Sequence, residues 1–491
     1  MMKISLFADT SVDCRRRFYV GLSVVLLAAC LIVAFRAPIA FPLDDAYITI
    51  HNAIVLLSGA DPNYEGVPAL IGATSSVHLL LVAVMAQITS PLLGSFIVTG
   101  FGILAYGLGL ARLTFQLGGS ALLAAIIAAL GLLMGYTSYQ LFNGLETGLA
   151  MAAITWVLVL AAMPTTSRLL ALLCGVLPFI RPELIVLSGV LMLRQGWGQV
   201  KAGRIAEVVL DCFICFLGAA PWLVWQWVDT GSIVPLTASA KRVFFAEEGL
   251  PWQRRLGMIA AALAQSGLFP LALAIPFLRR VPLGWGILTF AVSTIFVLFV
   301  VFPGGAAHNH SRYLFILSPP LLCGLIGLVR TERLGVPLLV VAFGSMLLSG
   351  PLAWADYNAD VRQTKTELAG VAQWARETLP ADARILVHDA GYFAYATSFR
   401  LIDVVGLKTP ASIEFHRAHG PAGSVADRSP AINLIANHFC PHYAIVLHEP
   451  HRFWRQIEAD LQAGGWGLRQ LRAPAGEVGY FVYELTAPGS R

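Results

Sequence analysis

From residue 18 onward the chain is a succession of apolar runs separated by short polar breaks, beginning near residues 18, 92, 118, 147, 167, 183, 205, 256, 283, 312 and 335. Most hold about 17 to 24 residues, close to what an α-helix needs to cross about 30 Å of hydrocarbon. About eleven transmembrane helices are therefore expected, with residues 1–353 as the membrane part. The run at 77–88 has only about a dozen apolar residues, too few to cross and suited to a helix lying in the interface. The short runs at 167–180 and 183–195 read as two spans joined at Arg181, Pro182 and Glu183. Beyond residue 354 the pattern changes. Strand-like runs at 384–387 and 443–447 alternate with helix patterns at 361–378 and 451–463, which predicts a small soluble α/β domain over 354–491. No internal repeat or low-complexity stretch is evident.

Composition agrees with a membrane protein: 57% of residues are apolar and 12% charged, against about 25% charged in soluble domains. The net charge of +5 sits in short loops, so it reports topology and gives no reason to expect a nucleic-acid partner. Arg15, Arg16 and Arg17 precede the first apolar run, which is too long for a signal-peptide core and lacks a small-residue cleavage site, so an uncleaved first span is expected. If 77–88 does not cross, Arg112, Arg168, Arg194, Lys201, Arg204, Arg279, Arg280, Arg330 and Arg333 share the side of Arg15 to Arg17. The positive-inside rule then predicts a bacterial inner-membrane protein with a cytoplasmic N-terminus. Residues 40–91 become one long external loop with interfacial helices, and 354–491 a periplasmic domain. Cys440 is the one cysteine in the soluble part, and Cys212 and Cys215 lie at the start of an apolar helix without other soft ligands. Neither a disulfide framework nor a metal site follows.

Two adjacent carboxylates, Asp44 and Asp45, stand just after the first span in the run PLDDAYI. They could simply open an interfacial helix, where acids favour the N-terminus. Yet every other external loop brings polar residues to the same face of the membrane. These are Thr74, Ser75, Ser76 and His78; Tyr139, Asn143, Glu146 and Thr147; Arg181 and Glu183; Thr237, Lys241 and Arg242; and His308, Asn309, His310 and Arg312. The inner loops carry little beyond basic topology markers. Acids, cations and histidines gathered at one leaflet suit a substrate with an anionic head and a lipid tail. A carboxylate can take a proton from a hydroxyl while Arg, Lys and His neutralise a departing phosphate, chemistry that fits sugar transfer from a polyprenyl phosphate. Alternative readings stay open for several residues. Arg181 could be a snorkelling anchor paired with Glu183, Glu146 a helix-start acid, and Arg312 a flank of its span. His308 and His310 either lie in a solvated loop or bind a divalent cation with Asp44 or Asp45, and His388 with Asp389 reads as a turn after a strand.

The run FPLDDAYITIHNAIVLLSGADP resembles the first external loop of the GT-C membrane glycosyltransferases. That class contains the lipid A aminoarabinose transferase, protein O-mannosyltransferases and mycobacterial arabinofuranosyltransferases. FNGLETGLA is similar to the second-loop acidic motif of bacterial members, IRPEL to their polar break between paired helices, and GSIVPLTASAK to a loop that usually has asparagine where Leu236 stands. VHDAGYFAYATSFRLIDVVGL resembles a strand, helix and strand of their outer domains. The resemblance implies a GT-C-like fold and an inverting, metal-independent or weakly metal-assisted transferase. It would move one sugar from a polyprenyl-phosphate donor to a glycan, lipid or protein acceptor of the cell envelope. It implies Asp44 as catalytic base with Asp45 as the alternative, Glu146 as second acid, and Lys241, Arg181 and Arg312 for donor phosphate. Tyr47, Ser75, His78, Glu183, Thr237, His308 and His310 would complete the substrate site. A flippase would need polar groups through the bilayer midplane. A scaffold would tolerate loss of the acids, and a glycan polymerase would share the architecture.

Overall fold

The computed structural model describes residues 11–35, 39–163, 167–245, 247–281, 283–419, 428–449, 453–474, 476 and 478–489. Each of the eleven long apolar runs becomes a helix, from Val12–Ala34 through Pro91–Gln116, Ile205–Thr230 and Gly284–Val301 to Gly335–Gln363. Among the described residues six helical segments are long and apolar enough to cross a membrane. Ala121–Leu133, Thr147–Ala161 and Arg168–Ile180 are shorter. Thirteen residues rise only about 20 Å at 1.5 Å each. Ala121–Leu133 stops at Met134, which is extended, and a short helix Thr137–Phe142 follows after Gly135 and Tyr136.

The expected break at Arg181 has a local cause. Arg181 precedes a proline, which disfavours helical geometry, and it is extended at φ −153°, ψ 132°. Helix Arg168–Ile180 therefore stops, a 3-10 turn Pro182–Leu184 follows, and Ile185–Lys201 resumes the helix. The kink turns the Arg181 side chain into the interior, where it is fully buried.

The segment 40–91 folds into Asp44–Ser58, stopped by Gly59 in left-handed geometry at φ 78°, and Ser76–Ile88. In the second, the Ser75 hydroxyl accepts from His78 N–H at 3.1 Å, a side-chain cap of the usual kind.

Gly335–Gln363 continues through a π-turn, Thr364–Leu368, into Ala369–Thr378, so the 353/354 division falls inside one unbroken helix. This helix leads into a five-stranded sheet of order β2-β1-β3-β5-β4, with β1 Arg384–Val387, β2 Arg400–Asp403, β3 Tyr443–His448, β4 Gly467–Arg472 and β5 Gly479–Thr486. β1 pairs parallel with β2 and β3, while β5 runs antiparallel to both β3 and β4. The strand, helix and strand expected at 387–407 appear as β1, Tyr392–Ala396 and β2. Of the helix pattern at 451–463, Gln456–Ala463 is helical, and residues 451 and 452 lie outside the described residues.

The sheet domain rests on the segment 40–91. Asn63 donates to the carbonyls of Thr397 (2.9 Å) and Phe399 (3.0 Å), and Tyr64 hydroxyl to that of Ala390 at 3.2 Å. Lys408, fully buried, reaches down to Asp61 Oδ2 at 3.1 Å and Asn52 Oδ1 at 2.8 Å. Asp61 also meets His51 at 3.0 Å. Burial alone would raise Asp61, but His51 and Lys408 outweigh it and hold the carboxyl at about 2. Gly72, at φ +85°, makes room for the lysine, since a Cβ there would lie 2.8 Å from Lys408 Cδ.

Candidate functional site at the aspartate pair

The two aspartates on the first turn of Asp44–Ser58 point into different surroundings. Asp45 Oδ2 accepts from Arg312 Nη1 at 2.9 Å and Lys241 Nζ at 3.3 Å. Burial would raise this carboxyl, but the Lys241 and Arg312 charges hold it well below the usual carboxylate range. Asp44 turns toward the sheet domain. Gly391 N–H donates to its Oδ2 at 2.8 Å and Tyr392 N–H to its Oδ1 at 2.6 Å. Gly391 must be glycine for this approach, because a Cβ would collide with the Asp44 backbone. Burial first, then the charge of Asp389, pushes the Asp44 carboxyl well above its ordinary value, against the effect of the two amide donors. Neighbours in sequence thus differ in basicity.

Around Asp45 the cations come from distant segments. Lys241 lies on helix Leu236–Phe245, whose Thr237 hydroxyl bonds Thr74 at 3.3 Å. Arg312 follows Asn309, His310 and Ser311, three consecutive non-glycine residues in left-handed geometry at φ 48°, 55° and 63°. Such backbone costs on the order of 1–3 kcal/mol per residue and tends to sit at functional sites. Here it brings Arg312 to Asp45. Arg181 donates to Glu183 Oε1 at 2.8 Å and lies 3.8 Å from Glu146 Oε1. Tyr313 sits between the two arginines, each guanidinium 5.0 Å from its ring centre. Arg181 Nε and Nη1, Arg312 Nε, Glu146 Oε1 and His78 Nε2 are buried without a hydrogen-bond partner among the described residues. Unpaired buried polar atoms of this kind are costly.

A cleft of about 340 Å³ leads to this cluster, lined by Ile185, Val186, Val297, Leu298, Val301 and Phe302, with Thr74, Glu183, Thr237, Lys241 and Tyr313 at its polar end. Ile185 is 62% and Val297 42% exposed, so the apolar end opens on the outer surface of the helical bundle. On the other side of Asp45 a second cavity, of about 140 Å³, lies between the first loop and the sheet domain.

Asp44, Asp45, Glu146, His78, Arg181, Glu183, Thr237, Lys241 and Arg312 are therefore brought together, and His308 lines the outer cavity. Three of the expected site residues are used otherwise. Tyr47 is buried behind the site, its hydroxyl accepting from Phe41 N–H at 3.0 Å and its ring against Tyr392. Ser75 caps its helix and donates to Phe179 O at 3.1 Å. His310 stacks on Tyr136 at 4.7 Å and meets Asp360 Oδ2 at 3.3 Å, in a separate aromatic cluster, because the left-handed turn sends it away from His308. Tyr313 and Asp389 were not singled out for the site from sequence. The first stood in plain view beside Arg312, the second only as a turn residue. Among the described residues no cluster of three or more His, Cys, Asp or Glu could hold a metal ion.

Comparison with known proteins bears on the fold. The family model that matches is described as a domain of unknown function (DUF8728) and covers residues 356–483, the sheet domain with its leading helix. No curated protein matches the chain. Among solved structures, ArnT from Cupriavidus metallidurans in the apo state is similar, with a TM-score of 0.54 and 15% identity over 94% of this chain and 98% of that one. The same protein bound to undecaprenyl phosphate is similar at a TM-score of 0.54 and 14% identity, with the same coverage. An Archaeoglobus fulgidus oligosaccharyltransferase in the apo form matches with a TM-score of 0.50 and 12% identity, over 95% of this chain and 74% of that one. The chain has the fold of the GT-C membrane glycosyltransferases: a bundle of apolar helices carrying a small sheet domain at its C-terminal end.

Proposed function

We propose that this protein is an inverting glycosyltransferase. It takes one sugar from a polyprenyl-phosphate donor to a cell-envelope acceptor at the periplasmic face of a bacterial inner membrane. The carrying observation is the apolar cleft that opens on the bundle surface and ends at Lys241, Thr237 and Tyr313, beside arginines with unpaired donors and next to two carboxylates of unlike basicity. The cleft suits an isoprenoid tail that never leaves the bilayer, and the cations suit its phosphate. The undecaprenyl phosphate bound by the ArnT structure of the same fold agrees with this choice of donor.

In this reading the acceptor oxygen attacks the anomeric carbon from the side opposite the phosphate, so configuration inverts. The bond between that carbon and the phosphate oxygen breaks. Asp44 takes the acceptor proton and later returns it to water. Its raised carboxyl is the better base of the pair, since a base works best with a pKa near the operating pH. Asp45 stays ionised and orients Lys241 and Arg312, which with Arg181 stabilise the departing phosphate. Peptide N–H groups of Gly391 and Tyr392 fix the angle of Asp44.

The test is transfer of radiolabelled sugar from a panel of polyprenyl-phosphate donors by membranes containing wild type, Asp44→Asn or Asp45→Asn at matched expression. Wild-type transfer that disappears in Asp44→Asn is expected. Retained cellular phenotype in both variants, with no transfer from any donor, would instead make the protein a flippase or scaffold.

A further inference from the structure

Arg312 reaches Asp45 from a stretch of left-handed backbone, Asn309 to Ser311, and that stretch has to be held in place. A side chain from another segment holds it. Gln140, on the short helix Thr137–Phe142 and fully buried, donates from Nε2 to the carbonyls of Asn309 at 2.8 Å and His310 at 3.2 Å. We propose that Gln140, with Asn143 behind it, is the positioning residue that fixes the Arg312 guanidinium at the donor-phosphate end of the site. The proposal rests on the glycosyltransferase reading above and adds to it the device that presets the phosphate-binding arginine.

Three observations carry it. The first is where the bonds end. Gln140 holds two consecutive carbonyls inside the strained stretch, the second of them two residues before Arg312. Backbone in this region persists only where its surroundings over-determine it. Released, it would turn both carbonyls away from Gln140 and carry the Arg312 side chain with it. The Ser311 hydroxyl ties down the far end by donating to Ala262 O at 3.1 Å. The second is that the Gln140 amide can point only one way. Asn143, also fully buried, donates from Nδ2 to Gln140 Oε1 at 2.8 Å, and its own Oδ1 accepts from Leu145 N–H at 2.9 Å. Reversed, the Gln140 amide would set its oxygen against two carbonyl oxygens and its nitrogen against a donor, so Asn143 selects the donating orientation. The third is what lies at the two ends. Leu145 and Glu146 line the same small cavity as Asp45, Lys241 and Arg312, so the amide pair joins the Arg312 turn to the chain just before Glu146. Gln140 and Asn143 line neither that cavity nor the two larger ones beside the aspartates. They therefore act through Arg312 and not on a ligand.

The test is a double-mutant cycle on the full-length chain. Gln140→Met keeps the length of the side chain and removes both donors. It should lower kcat for sugar transfer by about 10–10²-fold, the scale of loss that an ångström of misplacement causes, and should reduce the thermal shift given by undecaprenyl phosphate. In the Arg312→Gln background the same substitution should change kcat by no more than about twofold, because effects that run through one shared partner do not add. Asn143→Leu leaves Gln140 in place and frees its amide to turn; it repeats the cycle with a smaller loss. A glutamine that only supports the fold would lower kcat by the same factor in both backgrounds. Equal losses in the two backgrounds, or wild-type kcat and shift in Gln140→Met, would overturn the proposal. A cryo-EM structure of Gln140→Met in nanodiscs reads the same point without catalysis. Arg312 is expected to have left Asp45 Oδ2, and finding it still there overturns the proposal. Displaced Arg312 in the variant, with a wild type that transfers no sugar and binds no undecaprenyl phosphate, would overturn the donor reading and leave the positioning role standing.

Discussion

The two cavities that share Lys241, beside the aspartate pair, make a useful contrast. The inner one has aliphatic walls, opens on the bundle surface and ends at Lys241, Thr237, Glu183 and Tyr313. The outer one has carboxylates and aromatic rings and is closed by the sheet domain. Asp44 and Asp45 both line the outer one but meet different partners, because side chains one position apart on a helix point about 100° away from each other. Asp45 falls among cations and stays charged; Asp44 falls under amide donors and a third carboxylate and holds its proton more tightly. What the contrast teaches is that basicity at this site is assigned by neighbours, two of which, Asp389 and Gly391, lie some 345 residues further along the chain.

The largest effect should come from exchanging the two roles. Asp44→Asn should lower transfer by about 10²–10⁴-fold, the span of a lost general base, without weakening donor binding as read by the undecaprenyl phosphate thermal shift. Loss of donor binding instead would assign Asp44 to the inner cavity. Arg312→Gln should lower kcat by about 10²–10³-fold, as for other groups that stabilise developing charge, and should weaken polyprenyl phosphate binding, measured by the same shift.

The pH profile sharpens the comparison. Asp44 must be deprotonated to act, so transfer should fall as pH drops through its raised pKa. The acid limb should therefore lie above the ordinary carboxylate range. A limb at the ordinary carboxylate position would break the assignment of the base.

The contact that holds the two halves together comes next. Lys408→Met leaves Asp61 buried without its cation, and breaking such a pair costs about 3–5 kcal/mol. Earlier proteolysis of the sheet domain and a lower Tm would verify it. Asp61 is depressed from 3.8 to about 2, so its contribution is complete above about pH 4 and disappears as pH falls toward 2. In wild type the same proteolytic sensitivity should appear in that acid window. The smallest effect is reserved for His310→Phe. It keeps the stacking on Tyr136 and should leave transfer within a few-fold of wild type, since His310 belongs to the aromatic cluster; a loss as deep as that of Arg312→Gln would return it to the site.

Much of the architecture was legible in the sequence. The apolar runs marked where helices form, six segments of which among the described residues are long and apolar enough to cross a membrane, the pre-proline position of Arg181 marked the kink, and the strand-like runs placed β1 and β3. The family resemblance brought Asp44, Glu146, Lys241 and Arg312 forward as site residues, and they do converge. These are local properties: helix formation, pre-proline geometry and charge sidedness depend on a residue and its near neighbours.

What only the tertiary structure decided is how those segments meet. The left-handed turn at 309–311 sends Arg312 to Asp45 and His310 elsewhere. Tyr313 lies between two guanidiniums that are 131 positions apart in sequence, Arg181 and Arg312. Asp389, which reads as an ordinary turn residue, adds its charge to burial in raising Asp44, while Lys241 and Arg312 depress Asp45. No short motif encodes such encounters. Ionisation and hydrogen bonding are set by groups within a few ångströms, and in a folded chain those groups come from segments that sequence patterns treat as unrelated.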